Sequence, residues 1–483
     1  MPSLGRKLVS GAIWTAAASW GSQIIAFGVF VALARFLTPQ QFGLATLAMI
    51  PPFFLSVFVT TGIVDALVQR RDVERGHLVS AFWLVCAMGL ALSGAIFAGA
   101  ELLAAFFGQP ELRELLRWSC LVVAIESFAV VPTALLRRDL AFRTLALRGF
   151  FATATSAIVG VGMAAHGFGV WSLIAYQLAR TGAGTALVFA GSRFLPSFSY
   201  SRARIAELLP FARPIVAQSL LAFVNGELPA FVLGAFLGPA AVGVYSFARR
   251  PFQVLWEVCL TPLLGLVMPT VARIRDDPGK TDRFFNAALR MTALCAFPVF
   301  IGFAAVAPVA VPVVFGPQWS GAVVVVTILT PLAILMIIDA LCVYTILALG
   351  HSKLVFKLKG AFTIVSAGPI VVAAHVSPEA LAATVVLCQL AFLPLMMVSA
   401  RRIAGVDVRR PLDIFPKLAL ASLLMFVAAR AAELNAPAQA PQLAVLAFAI
   451  LVGAAVYVAG ALGLVRGDLA LARDLVLKNR MPS

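Results

Sequence analysis

Long apolar runs separated by short basic ones set the pattern of this chain. The runs fall at roughly 11–36, 41–66, 77–99, 115–136, 145–166, 169–191, 212–236, 240–262, 286–312, 321–346, 358–376, 379–399, 415–432 and 442–464. A helix needs about 20 apolar residues to cross a hydrocarbon layer of about 30 Å, and each run is of that order. The pattern predicts an all-α polytopic membrane protein with about fourteen transmembrane helices. The first run follows Arg6 and Lys7, is too long for the core of a cleavable leader, and reads as the first span.

A second regularity lies over the first. VALARFLTPQQFGLATLAMIPPF from Val31 to Phe53 has an echo in FVLGAFLGPAAVGVYSFARRPF from Phe231 to Phe252. Leu33, Phe36, Leu37, Pro39, Gly43, Ala48 and Pro51 align without gaps on Leu233, Phe236, Leu237, Pro239, Gly243, Ala248 and Pro251. The echo divides the chain into a six-helix lobe over 1–200, a second over 201–405, and two further helices with a tail over 406–483. Six spans per lobe is an even number, so the lobes form a parallel pseudo-repeat.

Composition narrows the class. With 61% hydrophobic and 12% charged residues and a mean hydropathy of +0.99, the chain is too apolar for a soluble globular protein. The net charge of +16 would suggest a nucleic-acid partner elsewhere. Here the basic residues sit between apolar runs, at Arg70/Arg71/Arg75, Arg137/Arg138/Arg143/Arg148, Arg193/Arg202/Arg204/Arg213, Arg273 to Arg290, Lys353/Lys357/Lys359, Arg401 to Lys417 and Arg466 to Arg480. All these clusters fall on one side of the span scheme, which makes that side, and both termini, cytoplasmic. No nucleic-acid partner is expected.

Three arginines escape both the basic clusters and the helix ends: Arg180, Arg249 and Arg250. The last two lie about ten residues into their span, roughly 15 Å deep and near mid-membrane. Each costs about 2.5 to 3.5 kcal/mol there, so such residues face water or a partner. Met49 and Ile50 stand opposite them in the first lobe, so the shared architecture does not demand arginine. Polar neighbours repeat at helical spacing: Tyr176, Gln177, Arg180, Thr181 and Gly184 on one span, and Ser246, Arg250, Gln253 and Glu257 on another. Each stripe lines either a wet path, which would make Tyr176, Gln177, Arg180, Arg249, Arg250 and Gln253 substrate contacts, or a polar helix contact. Glu126, Glu227, Glu257 and Asp339 are the intramembrane acids, candidates for ion coupling or for structural pairing. The four histidines fall at span ends or in loops. Zinc, phosphate-loop, nucleophile-elbow and metal-binding D-x-D signatures are missing, so no catalytic, metal or cofactor site is predicted.

The repeated L-x-x-F-L-x-P-x-x-x-G pattern, the A-R-R-P-F that follows its second copy, MPTVARIRDDPGKTDRFFNAALR (Met268 to Arg290) and FGPQW (Phe315 to Trp319) together resemble polysaccharide transporters. The likeness covers nearly the whole chain and points to Wzx-type flippases and exopolysaccharide exporters of the multidrug/oligosaccharidyl-lipid/polysaccharide superfamily. It implies two lobes around a cationic cavity that opens alternately to each side of a bacterial cytoplasmic membrane. It also implies Arg249 and Arg250 as lining residues, an undecaprenyl-diphosphate-linked oligosaccharide as substrate, and a polysaccharide polymerase and chain-length regulator as partners. Many relatives carry an aspartate five residues before the glycine that matches Gly234, and this chain has Pro229 there with Glu227 nearby. A drug or cation antiporter of the same superfamily is an alternative, as is a membrane-embedded polymerase or glycosyltransferase.

Overall fold

The structure, a computed structural model, describes residues 4–70, 72–407, 409–437 and 439–464. Arg71 and the basic tail from Arg466 to Arg480 lie outside them. Among the described residues the fold is helical with no strand. Its nine leading helices are α1 (Leu4–Phe36), α2 (Pro39–Thr60), α3 (Ile63–Gln69), α4 (Arg75–Phe106), α5 (Leu112–Ser119), α6 (Leu121–Arg138), α7 (Phe142–Ala165), α8 (Trp171–Ser192) and α9 (Arg202–Phe236). There follow α10 (Gly238–Leu255), α11 (Thr261–Leu264), α12 (Val267–Ile274), α13 (Pro278–Ala310) and α14 (Ala322–Ala348). The last four are α15 (Ser352–Ala374), α16 (Pro378–Ala404), α17 (Ile414–Leu434) and α18 (Gln442–Leu464).

Among the described residues, twelve helical segments are long and apolar enough to cross a membrane. Of the two other predicted spans, α8 falls short because Gln177, Arg180 and Thr181 interrupt its apolar surface, and α1 is apolar over Trp20–Phe36. Leu102, Ile158 and Ile364 leave three quarters or more of their surface uncovered, as lipid-facing side chains do. Several helices outrun the apolar runs that announced them. One of these, α9, begins at Arg202, and the helical path from α10 continues through α12 to Ile274. Hydropathy marks only the part of a helix inside hydrocarbon, whereas backbone hydrogen bonding carries the helix on into water. Most of the Met268 to Arg290 connection is accordingly helical, turning at Asp277. That residue caps α13: its carboxylate accepts from the Lys280 N–H at 3.0 Å and meets the Lys280 ammonium at 3.1 Å. Both contacts hold its carboxyl below the usual range, the backbone hydrogen bond most of all.

Two compact units divide the chain at Met1–Gly243 and Val244–Ser483, with the boundary inside α10. In the first unit α7 packs on α1 and α8, α6 on α2, α4 and α8, and α9 on α2, α3 and α4. In the second, α13 packs on α14, α17 and α18, and α16 on α14 and α15. Leu289, Phe300, Leu341, Ile346 and Met396 lie at the centre of that unit's largest core.

Within the first unit the two copies of the repeated motif meet each other. A Cβ built on Gly43 would lie 1.7 Å from the carbonyl oxygen of Pro239, and one on Gly243 1.8 Å from that of Pro39. Pro-x-x-x-Gly puts the proline carbonyl and the glycine one turn apart on the same face, so two such turns interlock reciprocally. Glycine removes the side chain that would hold the backbones apart, as in close membrane-helix crossings. The turns leading in differ. Thr38 caps α2, accepting from the Gln41 N–H at 3.3 Å while the Gln41 side chain accepts from the Thr38 N–H at 3.1 Å. Gly238 opens α10 with φ +76°, which a side chain would strain.

Candidate functional site

Arg249 and Arg250 lie eleven and twelve residues beyond the start of α10 at Gly238, about 16 to 18 Å along the helix. Aromatic packing fixes that stretch. Phe247, fully buried, stacks on Trp319 with ring centroids 4.0 Å apart and planes at 14°, and meets Phe315 edge-on at 5.0 Å. Gly316, at φ +114°, makes the sharp turn between Phe315 and Trp319. The FGPQW motif is thus the anvil for α10. With Tyr245, Phe247 and Ala248 buried, the next two side chains turn toward the half-exposed side.

The Arg249 guanidinium carbon sits 5.7 Å from the centroid of the Tyr245 ring one turn earlier, in reach of a cation–π contact. Arg250 donates from Nη1 to Oε1 of Gln253 at 3.3 Å. Among the described residues Arg250 forms no ion pair. Pro251 then removes one amide donor from the helix, and a π-helical turn follows at Trp256–Leu260. Of the predicted stripe, Gln253 stays with Arg250, and Glu257, also exposed, lies within this wider turn.

In the first unit, Arg180 is exposed near the middle of α8. Its stripe divides. Gln177 and Thr181 face each other at 3.5 Å, and Gly184 turns to α7. Tyr176 instead packs over Gly160 of α7, within a cluster that holds Val29, Leu33 and Ala164. A residue that the basic-cluster pattern hid joins Arg180: Arg148, six residues into α7, donates from Nε to the Gly184 carbonyl at 3.2 Å. Sequence counted it with the arginines at the helix end. The signal that marks it is a glycine on the neighbouring helix, where a Cβ would stand in van der Waals contact with the Arg148 Nε at 3.5 Å. Glu126, half-buried on α6, lies within electrostatic reach of Arg148 and Arg180, beside Ser56. One acid and two arginines therefore share one region of this unit.

The remaining acids are dispersed. Glu227 is half-buried on α9. Asp339, buried on α14, receives the Lys359 ammonium of α15 on Oδ2 at 2.6 Å. Its other oxygen is buried without a hydrogen-bond partner among the described residues. Among the described residues no group of three His, Cys, Asp or Glu side chains could hold a metal ion.

The chain is 28% identical over 320 residues, 66% of its length, to the succinoglycan biosynthesis transport protein ExoT of Rhizobium meliloti (strain 1021). That alignment spans 65% of ExoT, just under two thirds of the relative's length. It is also 28% identical over 354 residues to the lipopolysaccharide biosynthesis protein WzxC of Escherichia coli (strain K12), covering 69% of this chain and 68% of that one. The fold matches a structure of the lipid II flippase MurJ in an inward closed conformation, with TM-score 0.77 and 16% identity over 96% of this chain and 100% of that one. An inward-facing multidrug resistance transporter of the MATE family matches at TM-score 0.62 and 15% identity, over 80% of this chain and 96% of that one. The family model described as "Polysaccharide biosynthesis protein" matches residues 32–324, more than half of the chain, and the protein belongs to that family.

Proposed function

We propose that this protein is a flippase that carries an undecaprenyl-diphosphate-linked oligosaccharide across a bacterial cytoplasmic membrane during lipopolysaccharide or exopolysaccharide synthesis. The observation that carries the reading is the pair Arg249 and Arg250: two adjacent guanidinium groups near the middle of an apolar span, touching a tyrosine ring and an amide. Family membership and the similarity to the succinoglycan transport protein ExoT and the lipopolysaccharide biosynthesis protein WzxC support it, as does a fold shared with MurJ.

The physical problem is the headgroup. A diphosphate with a glycan attached loses all its hydration in hydrocarbon, and an isolated charge there costs tens of kcal/mol by Born solvation. Guanidinium meets phosphate oxygens through two parallel N–H donors and stays charged at every relevant pH. Arg249 and Arg250 meet the phosphates of the headgroup during its passage, while the lipid tail stays in the bilayer; Arg148 and Arg180 form a cationic region of the first unit in their own right. Gln253, beside Arg250, supplies a neutral hydrogen bond to the glycan. Alternating access moves the headgroup, with the basic helix ends and both termini cytoplasmic. The product then faces a polymerase and chain-length regulator on the outer side.

The test is the double variant Arg249→Ala/Arg250→Ala in a polysaccharide-producing host, with surface polysaccharide and membrane abundance measured together. A large loss of polysaccharide at unchanged abundance is expected. Full surface polysaccharide at normal abundance overturns the assignment.

A further inference from the structure

The segment between α8 and α9 is pinned to the flank of α4. Trp83 donates from Nε1 to the Ser197 carbonyl at 2.9 Å, and its ring stacks on Phe198 with centroids 5.2 Å apart and planes at 22°. Farther along, the Ser201 N–H donates to the Ser80 hydroxyl at 2.9 Å. Arg193 ends α8 in the left-handed region, at φ 51°, which turns the chain sideways at once.

Helix length gives the depth of this attachment. The 32 residues of α4 make a rod of about 48 Å, some 18 Å longer than a 30 Å hydrocarbon layer, which leaves about 9 Å beyond it at each end. Trp83 stands eight residues after Arg75, about 12 Å along, so its ring lies close to the boundary between acyl chains and headgroups. Tryptophan favours that layer. The segment therefore folds back to the depth of the interface.

What it shows there is apolar. Phe198 is 94% exposed, Leu195 77% and Tyr200 57%. With the backbone pinned to α4 and the side chains left bare, these residues form a short apolar strip. Arg193 and Arg202 flank it, both exposed and both without an ion pair among the described residues. Nearby Arg204, by contrast, is bound to Glu74 at 2.5 Å. No acid occurs in the sequence between Asp139 and Glu207. Exposed apolar side chains between unpaired arginines match an anionic interface: rings and leucine enter the acyl boundary, and guanidinium groups meet phosphate oxygens.

We propose that the segment from Arg193 to Arg202 is an interfacial strap that binds anionic phospholipid, with Leu195, Phe198 and Tyr200 inserted among the acyl chains and Arg193 and Arg202 on the headgroup. The strap holds the link between the sixth and seventh spans at a set depth, and it makes the protein sensitive to the anionic lipid around it. The proposal needs only a membrane-spanning α4. It is independent of the substrate reading.

The experiment places a photoreactive benzophenone amino acid at Phe198 of the full chain, reconstituted in vesicles of equimolar phosphatidylglycerol and phosphatidylcholine in both leaflets. After irradiation, mass spectrometry identifies the adduct. Lipid adducts at least threefold richer in phosphatidylglycerol are expected, with the ratio falling to about one in Arg193→Gln/Arg202→Gln. Equal capture of the two lipids by the unaltered arginines overturns the headgroup assignment. Failure to capture lipid, or capture of a second protein chain, overturns the strap itself. Because Phe198 is exposed, the altered chain folds; monodispersity in detergent checks it.

Discussion

Arginines at the helix ends of the first unit and arginines inside α7 and α10 have different company. At the ends, Arg70 pairs with Glu207, Arg204 with Glu74 at 2.5 Å, and His77 approaches Glu207 at 3.4 Å. In the second unit Arg290 meets Asp413 at 2.7 Å, and Lys359 meets Asp339 at 2.6 Å. Inside the helices, Arg148 rests on a glycine carbonyl and Arg250 on a glutamine amide. A carboxylate cancels the charge it holds, whereas a neutral dipole orients a guanidinium and leaves its charge in place. At an effective dielectric of about 20, a unit charge 4 Å away is still worth about 4 kcal/mol to an arriving anion. On the proposed function, the difference separates cations that hold the fold from Arg250, kept for a mobile anion, while Arg148 keeps Glu126 within electrostatic reach as well.

That separation can be broken in four ways, from the largest effect to the smallest. Gly43→Ala sets a Cβ against a backbone carbonyl that has no room to yield, and destabilisation of about 3 kcal/mol is expected. Membrane abundance and melting in detergent measure it, and its collapse in abundance is the pattern an arginine variant must not show. Arg249→Ala/Arg250→Ala should lower transport at least tenfold with abundance unchanged, a loss of about 1.4 kcal/mol or more. If abundance falls in parallel, the pair belongs with the structural arginines.

Arg148 refines the division. Lysine keeps the charge of Arg148 but cannot reproduce the planar donor that reaches the Gly184 carbonyl. About a threefold fall in transport is expected for Arg148→Lys, against about tenfold for Arg148→Ala, read from initial rates in vesicles. Equal loss in both would mean that geometry, and not charge, is what Arg148 supplies. Glu207→Gln tests the other side. Its carboxylate is about half exposed and screened by solvent, so only a small loss of stability, the least of the four effects, is expected, with transport per molecule unaltered. A fall in transport larger than the fall in abundance would place the helix-end network in the transport cycle.

Much of this was legible in order along the chain. The helices, their number and the arginines of α10 follow from local composition, because the cost of putting a residue in hydrocarbon depends on that residue and its near neighbours. The interlocking proline and glycine turns could be matched as a repeat, but nothing in the alignment says that the copies touch. Tyr176 shared a helical stripe with Arg180, yet packs on Gly160, since a stripe gives a face and not the neighbour it meets. Arg148 was hidden by its cluster, because distance from a helix end along the sequence does not say which way a long side chain reaches.

The sequence by itself determined a membrane-spanning helical chain with an internal echo and two deep arginines, because transfer free energy and helical periodicity act over a few turns. Only the tertiary structure decided that Pro39 and Gly243 share a crossing, that Lys359 neutralises Asp339 and that the link before α9 lies against Trp83. Those outcomes depend on lateral packing between segments from 20 to 200 residues apart, where a few ångströms of approach, set by the absence of a Cβ or the reach of a side chain, select one partner among many.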